Sequence, residues 1–107
     1  MIFKNPYWTT TTKIELLQRW IIVHSILYYD YDTNLVPDRV YDMNLVQLAE
    51  MMKSHPKSAR QSKYAYAFSG FKGSTGYDIP SKLTVKDKRH LYGIADFIVK
   101  TEKEKER

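Results

Sequence analysis

Cysteine is absent from this 107-residue chain, which excludes a disulfide framework and any thiolate metal site. No apolar run approaches the roughly 18 residues that a membrane-spanning helix needs. The first residues, Met1 to Trp8, lack the apolar core and small-residue cleavage site of a secretory signal. A cytoplasmic location is the expectation from these absences. Internal repeats and a convincing domain boundary are also missing, so residues 1–107 read as one domain with a single modest core. The three histidines have no partners at metal-ligand spacing, which leaves no metal site to predict.

What is present is ordinary globular composition, with 43% hydrophobic and 27% charged residues. The net charge of +5 is unevenly spread. Residues 1–50 hold four Lys/Arg against six Asp/Glu, and residues 51–107 hold thirteen against six. Acids therefore gather early and bases late, and a basic half of this kind attracts nucleic acid, an anionic ligand or an acidic protein.

Hydrophobic spacing predicts a mainly α fold. Thr12 and Glu15 form a capping-box pattern. Ile14, Leu17, Ile21, His24 and Tyr28 follow at helical spacing, beside a second stripe of Leu16, Trp20, Val23 and Leu27. A helix over about 12–30, apolar around much of its circumference, belongs at the centre of the core. Asp32, Thr33 and Asn34 supply turn chemistry. Pro37-Asp38 restarts a helix over about 38–54, with Asp38 as N-cap and Tyr41, Leu45, Leu48 and Met52 inward, so that the two form an antiparallel pair. Pro56 disfavours helical geometry at His55 and stops it. Residues 57–83 alternate briefly at Tyr64, Tyr66 and Phe68, which predicts an irregular segment or a short β-hairpin. Thr84 and Asp87 repeat the capping pattern before a C-terminal helix over about 84–104, whose EKEKER end is expected to fray.

The stretch His24 to Asp42 carries the chemistry. Tyr28, Tyr29 and Asp30 fall at the end of the first helix, while Asp38, Tyr41 and Asp42 open the second. Two helix ends that meet across a short turn gather aromatic faces, carboxylates and a helix N-terminus around one volume. That combination suits a flat, cationic, phosphorylated ligand, as a nicotinamide nucleotide is. Each residue also has a plainer role. Tyr28 and Tyr41 can be aromatics at the core edge, and His24 a packed histidine. Asp38 can be only a cap and Asp42 only a favourable charge in a first helical turn.

The same residues carry a family likeness. His24, Tyr28 and Tyr29, followed by Asp38, Tyr41 and Asp42 and by the pair His55-Pro56, resemble the small N-terminal Ia domain of bacterial NAD-dependent DNA ligases over about residues 12–56. The resemblance implies a helical unit that binds NAD or nicotinamide mononucleotide (NMN) as ligand. Tyr28 and Tyr41, with Tyr29 beside them, would lie at the ring or phosphate. Asp38 and Asp42 would lie at the ribose or the cationic ring, and His24 at the pocket edge. The departures are equally plain. No Lys-x-Asp-Gly adenylation motif occurs, and Lys72 to Gly76 lacks the spacing and preceding strand of a phosphate loop. The chain is therefore expected to have no catalytic residues and to ligate nothing by itself. It would serve as a binding domain, or as the NMN-binding part of a split ligase whose partner carries the lysine. So short a fragment would suit a bacteriophage genome and, with it, the host cytoplasm. A second reading is a protein-interaction or inhibitor module, directed at a ligase or host protein, that keeps the fold without the nucleotide. A third is weak nucleic-acid binding through Lys53, Lys57, Arg60 and Lys63 with Tyr64, Tyr66 and Phe68 interleaved.

Overall fold

The computed structural model describes residues 8–105. The N-terminal segment read against a signal peptide lies, apart from Trp8, outside the described residues, as do the last two residues of the charged tail. Four helices follow in order: α1 (Thr10–Asp30), α2 (Asp38–Ser54), α3 (Pro56–Gln61) and α4 (Val85–Lys105). Single 3-10 turns cover Ala65–Phe68 and Pro80–Lys82. No described helix is long and apolar enough to cross a membrane.

Helix α1 is the axle of the fold, and α2, α3 and α4 all pack on it. Ile14, Leu17, Ile21, Ile22, Ile26 and Leu27 are fully buried along it. With residues spaced about 100° apart around the helix, those positions point in every direction. One partner cannot cover them all. Leu45 and Leu48 of α2 close one side, Leu91 and Ala95 of α4 another, and Ala59, Tyr64, Ala67, Phe68 and Ile79 the remainder. At about 1.5–3 kcal/mol for each fully buried large aliphatic side chain, this central helix dominates the stability of the fold.

Its start differs from the expected Thr12–Glu15 box. Thr9 is the N-cap, and its hydroxyl accepts the Thr12 N–H at 3.1 Å. Any of the four threonines can cap. Capping at the earliest lets further helical bonds close, Lys13 N–H to the Thr9 carbonyl among them. Glu15 is thereby released to accept the Lys63 N–H at 3.1 Å, which ties the middle segment down. At the other end Asp32 takes a positive φ of 49°, and the Thr33 N–H bonds the Leu27 carbonyl.

Asp38 is also not the cap it was expected to be. It is the first residue of α2, Pro37 holds the cap position, and no side chain caps this helix. A capping residue needs extended backbone, and at Asp38 the chain is already helical. Its carboxylate accepts from Asn34 Nδ2 instead, at 3.3 Å.

Residues 57–83 contain no hairpin, and no strand occurs among the described residues. The alternation of Tyr64, Tyr66 and Phe68 has another origin. Tyr64 and Phe68, at the two ends of a 3-10 turn, are 3% and 2% exposed and cover α1. Tyr66 faces outward and fills a gap at the start of α4. Its hydroxyl accepts the Thr84 N–H at 3.1 Å and donates to Asp87 at 2.6 Å. The Thr84 hydroxyl meanwhile accepts the Asp87 N–H at 3.2 Å. The expected Thr84–Asp87 pairing thus forms on its Thr84 side, and Tyr66 completes the other half, because an aspartate is shorter than the usual glutamate.

Tyr66→Phe should therefore cost about 1 kcal/mol through the loss of these bonds. Urea unfolding measures it, and a wild-type midpoint would show that the Tyr66 hydroxyl contributes nothing to the start of α4.

Candidate functional site

Trp20, His24 and Tyr28 are four residues apart on α1 and so share one face. The Trp20 and His24 rings touch, with centroids 4.1 Å apart. Tyr41, in the first turns of α2, crosses to meet this stripe. Its ring lies 6.5 Å from Tyr28 at an interplanar angle of 14°, and 6.4 Å from Trp20. The Tyr41 hydroxyl reaches past both, into the helix contact, to within 2.7 Å of the buried Ser25 Oγ. Tyr28 is 44% exposed, so the parallel pair has one anchored ring and one free one.

His24, Tyr28, Asp38 and Tyr41 line a single small cleft, floored by residues 33–36 of the interhelical turn. Four of the six residues singled out from sequence therefore converge. The other two stand beside it for a geometric reason. Tyr29 and Asp42 each follow a cleft residue, and one residue rotates the side chain by about 100°. Tyr29 turns its ring edge-on to Tyr28, 4.9 Å away, and also to Tyr77. Asp42 lines a neighbouring open groove of about 1120 Å³, along with Trp20, Val36, Arg39 and Met43. Val36 borders both cavities.

Burial shapes the electrostatics. It lowers the pKa of His24 below its ordinary value, favouring the neutral ring. Burial also raises the pKa of Tyr41, opposed by its hydrogen bond with Ser25, so Tyr41 stays a phenol. The cleft thus combines neutral aromatics with the carboxylate of Asp38 at its rim. Arg39 and the uncapped first turn of α2 stand close by. A cation stacks on such faces, and an anion fits such a helix start.

Sequence reasoning passed over Trp20, Ser25 and Tyr77. Trp20 was signalled by its four-residue spacing from His24. Ser25 and Tyr77 had no local signal, since their roles depend on contacts far along the chain. Of the aromatics proposed for single-stranded nucleic acid, Tyr64 and Phe68 are core residues, while Tyr66 is exposed and bonds the start of α4 through its hydroxyl.

The profile of the family described as DNA ligase-like, N-terminal NAD+-binding domain matches residues 8–62, just over half of the chain. No curated protein and no solved structure matches it. The matched segment contains α1, α2 and the whole lining of the cleft.

His24 gives the site a measurable pH dependence. Its folded pKa lies below the unfolded value near 6.5, so the unfolded chain takes the proton first as pH falls. Stability from the neutral ring is present above that value and is lost as pH drops through the folded pKa. Between pH 7 and pH 5 the thermal midpoint should fall further in the wild type than in His24→Gln. Equal slopes would mean that His24 titrates as it does in the unfolded chain.

Proposed function

The chain belongs to the family of DNA ligase-like, N-terminal NAD+-binding domains, and from that premise we propose that it binds NMN, or the NMN half of NAD, in the cleft between α1 and α2. The observation that carries this reading is the near-parallel pair Tyr28 and Tyr41, with Asp38 and a neutral His24 at the same cleft. A nicotinamide ring between two aromatic faces needs about 7 Å, two contacts of about 3.5 Å each. The ring centroids of the pair are 6.5 Å apart, a distance that includes any lateral offset of the two faces. The cleft itself encloses only about 10 Å³, so entry requires Tyr28 to swing outward. Its exposure permits that at little cost.

Each part of the ligand then has a counterpart. The pyridinium on a tyrosine face gains about 0.5–2 kcal/mol, and a protonated His24 would oppose it. Asp38 accepts from ribose hydroxyls or faces the cationic ring. The phosphate meets the uncapped start of α2 and Arg39, where amide groups and a guanidinium suit an anion. Asp42, in the adjoining groove, contributes charge and not contact. Tyr29 supports Tyr28 from the side. The role assigned to these residues is binding: none of them is a nucleophile for adenylate transfer, and the sequence carries no Lys-x-Asp-Gly motif. As one half of a split ligase, it would hold the NMN half of NAD while the lysine of a second chain takes the adenylate, with NMN as the leaving group.

Titration with NMN and NAD tests the proposal. A ligand that binds only the folded state raises stability by about 2.7 kcal/mol at 100 times its dissociation constant. Tyr28→Ala should weaken binding about tenfold or more, as expected for loss of a stacking face worth about 1–2 kcal/mol. The exposed position of Tyr28 should leave the ligand-free midpoint nearly unchanged. Asp38→Asn should weaken binding with little change in fold, and Asp42→Asn should change it less. No midpoint shift at millimolar NMN or NAD would end the nucleotide reading.

A further inference from the structure

Past residue 62, where the family match stops, the chain returns to the tyrosines. The segment 71–79 lies across α2 and α1, and two glycines permit its approach. Gly73 has φ +85°, and a Cβ there would stand 2.9 Å from Ala49 Cβ and 3.1 Å from the Leu45 carbonyl oxygen of α2. Gly76 sits where Tyr41 and Ser25 meet. A Cβ on it would stand 2.6 Å from the Tyr41 hydroxyl oxygen and 2.7 Å from Ser25 Oγ. Both distances are below any tolerable contact, so no side chain fits at residue 76 unless those oxygens move. The Gly76 backbone also lies close enough to the Tyr41 hydroxyl to favour its ionised form, against the effect of burial. The next residue, Tyr77, is 66% exposed and sets its ring edge-on against Tyr29, with centroids 4.9 Å apart.

We propose that the 71–79 segment is a positioning element of the α1–α2 cleft, in which Gly76 holds the Tyr41 hydroxyl against Ser25 and so sets the ring face that a nicotinamide would meet. This rests on the reading of Tyr28 and Tyr41 as the ring-binding pair and adds to it a residue outside the family-matched segment. A tyrosine on a helix surface turns about two side-chain bonds. Held at its far end by Ser25 and Gly76, Tyr41 cannot swing into the cleft and fill it. Tyr28, with no bond at its hydroxyl end among those described, supplies the movement that admits the ring. A surface ordered before the ligand arrives loses less entropy on binding. Gly76 touches no ligand in this arrangement, since the Tyr41 side chain lies between.

The test compares Gly76→Ala in two backgrounds. In the wild-type background it should raise the NMN dissociation constant about tenfold, the equivalent of one misplaced hydrogen bond. It should also move the Tyr41 ring-carbon NMR resonance, identified by its disappearance in Tyr41→Phe, in protein free of ligand. In the Tyr41→Phe background no hydroxyl remains to displace, and Gly76→Ala should then change NMN affinity by less than about twofold. A purely structural role would cost affinity equally in both backgrounds, and that result would overturn the proposal, as would an unmoved Tyr41 resonance. Should Gly76→Ala fail to fold, hydrogen exchange on the wild-type protein decides. Saturating NMN should slow exchange of the Gly76 amide, and an unchanged rate would overturn the coupling. If the wild type binds no NMN, the nucleotide reading falls, while the ligand-free Tyr41 resonance still reports whether Gly76 holds that ring.

Discussion

A helix that is apolar on every side must be covered on every side, and α1 imposes that demand on the rest of this small domain. With Ile14, Leu17, Ile21, Ile22, Ile26 and Leu27 all withdrawn from water, no arrangement of two helices suffices. The chain answers with α2 and α4 on two flanks and with a third layer made of α3 and the 3-10 turns. That third layer has little regular structure of its own, because its shape is dictated by the surface it covers. The same demand explains Gln18. It lies fully buried on α1, donates to Ser62 Oγ at 3.0 Å and leaves its carbonyl oxygen without a partner. An unpaired buried oxygen costs about 1–3 kcal/mol. The bond to Ser62 offsets part of that by attaching the irregular layer to the axle.

The cleft lies where this covering stops. In its last turn α1 changes from the buried Ile26 and Leu27 to the exposed Tyr28, Tyr29 and Asp30, because the interhelical turn cannot follow the helix to its end. The start of α2 and the 71–79 segment reach the same place from either side. Tyr41 is the joint between them, since it is the residue that contacts Trp20, Ser25, Tyr28 and Gly76 together. A cleft here follows from packing: aromatic surface is left over at the edge of a core too small to absorb it.

How much of this could be read from sequence depends on the range of the information. Helical spacing within one element is local, and α1, α2 and α4 were legible from it to within about two residues. The meeting of Tyr28 and Tyr41 was legible too, because a seven-residue connection leaves two helix ends few ways to part. Caps were not, since four threonines in a row offer equivalent starts and the choice depends on what Glu15 finds at Lys63. For 57–83 the hairpin alternative failed because two-residue alternation arises equally from a turn whose ends point inward. What separates them is the presence of α1 beneath, which no local window contains. Gly76 illustrates the limit most sharply. In sequence it is one small residue in a Lys-Gly-Ser-Thr-Gly run, and its importance lies in the two oxygens it nearly touches.

Charge placement bears on which ligand such a cleft favours. The chain as a whole is basic, yet two carboxylates stand here, Asp38 lining the cleft and Asp42 the adjoining groove. A purely anionic ligand, such as a free phosphate or a nucleic-acid backbone, would be repelled at close range by those carboxylates whatever the net charge. A purely cationic one would gain from them but have no use for the bare start of α2 or for Arg39. A molecule with a positive ring at one end and a phosphate at the other satisfies both halves, with the ring toward Tyr28, Tyr41 and Asp38. Burial that keeps His24 neutral removes the one group in the cleft whose protonation would repel the ring. The fold and the electrostatics therefore favour the same orientation of the proposed nucleotide, and they do so through different residues.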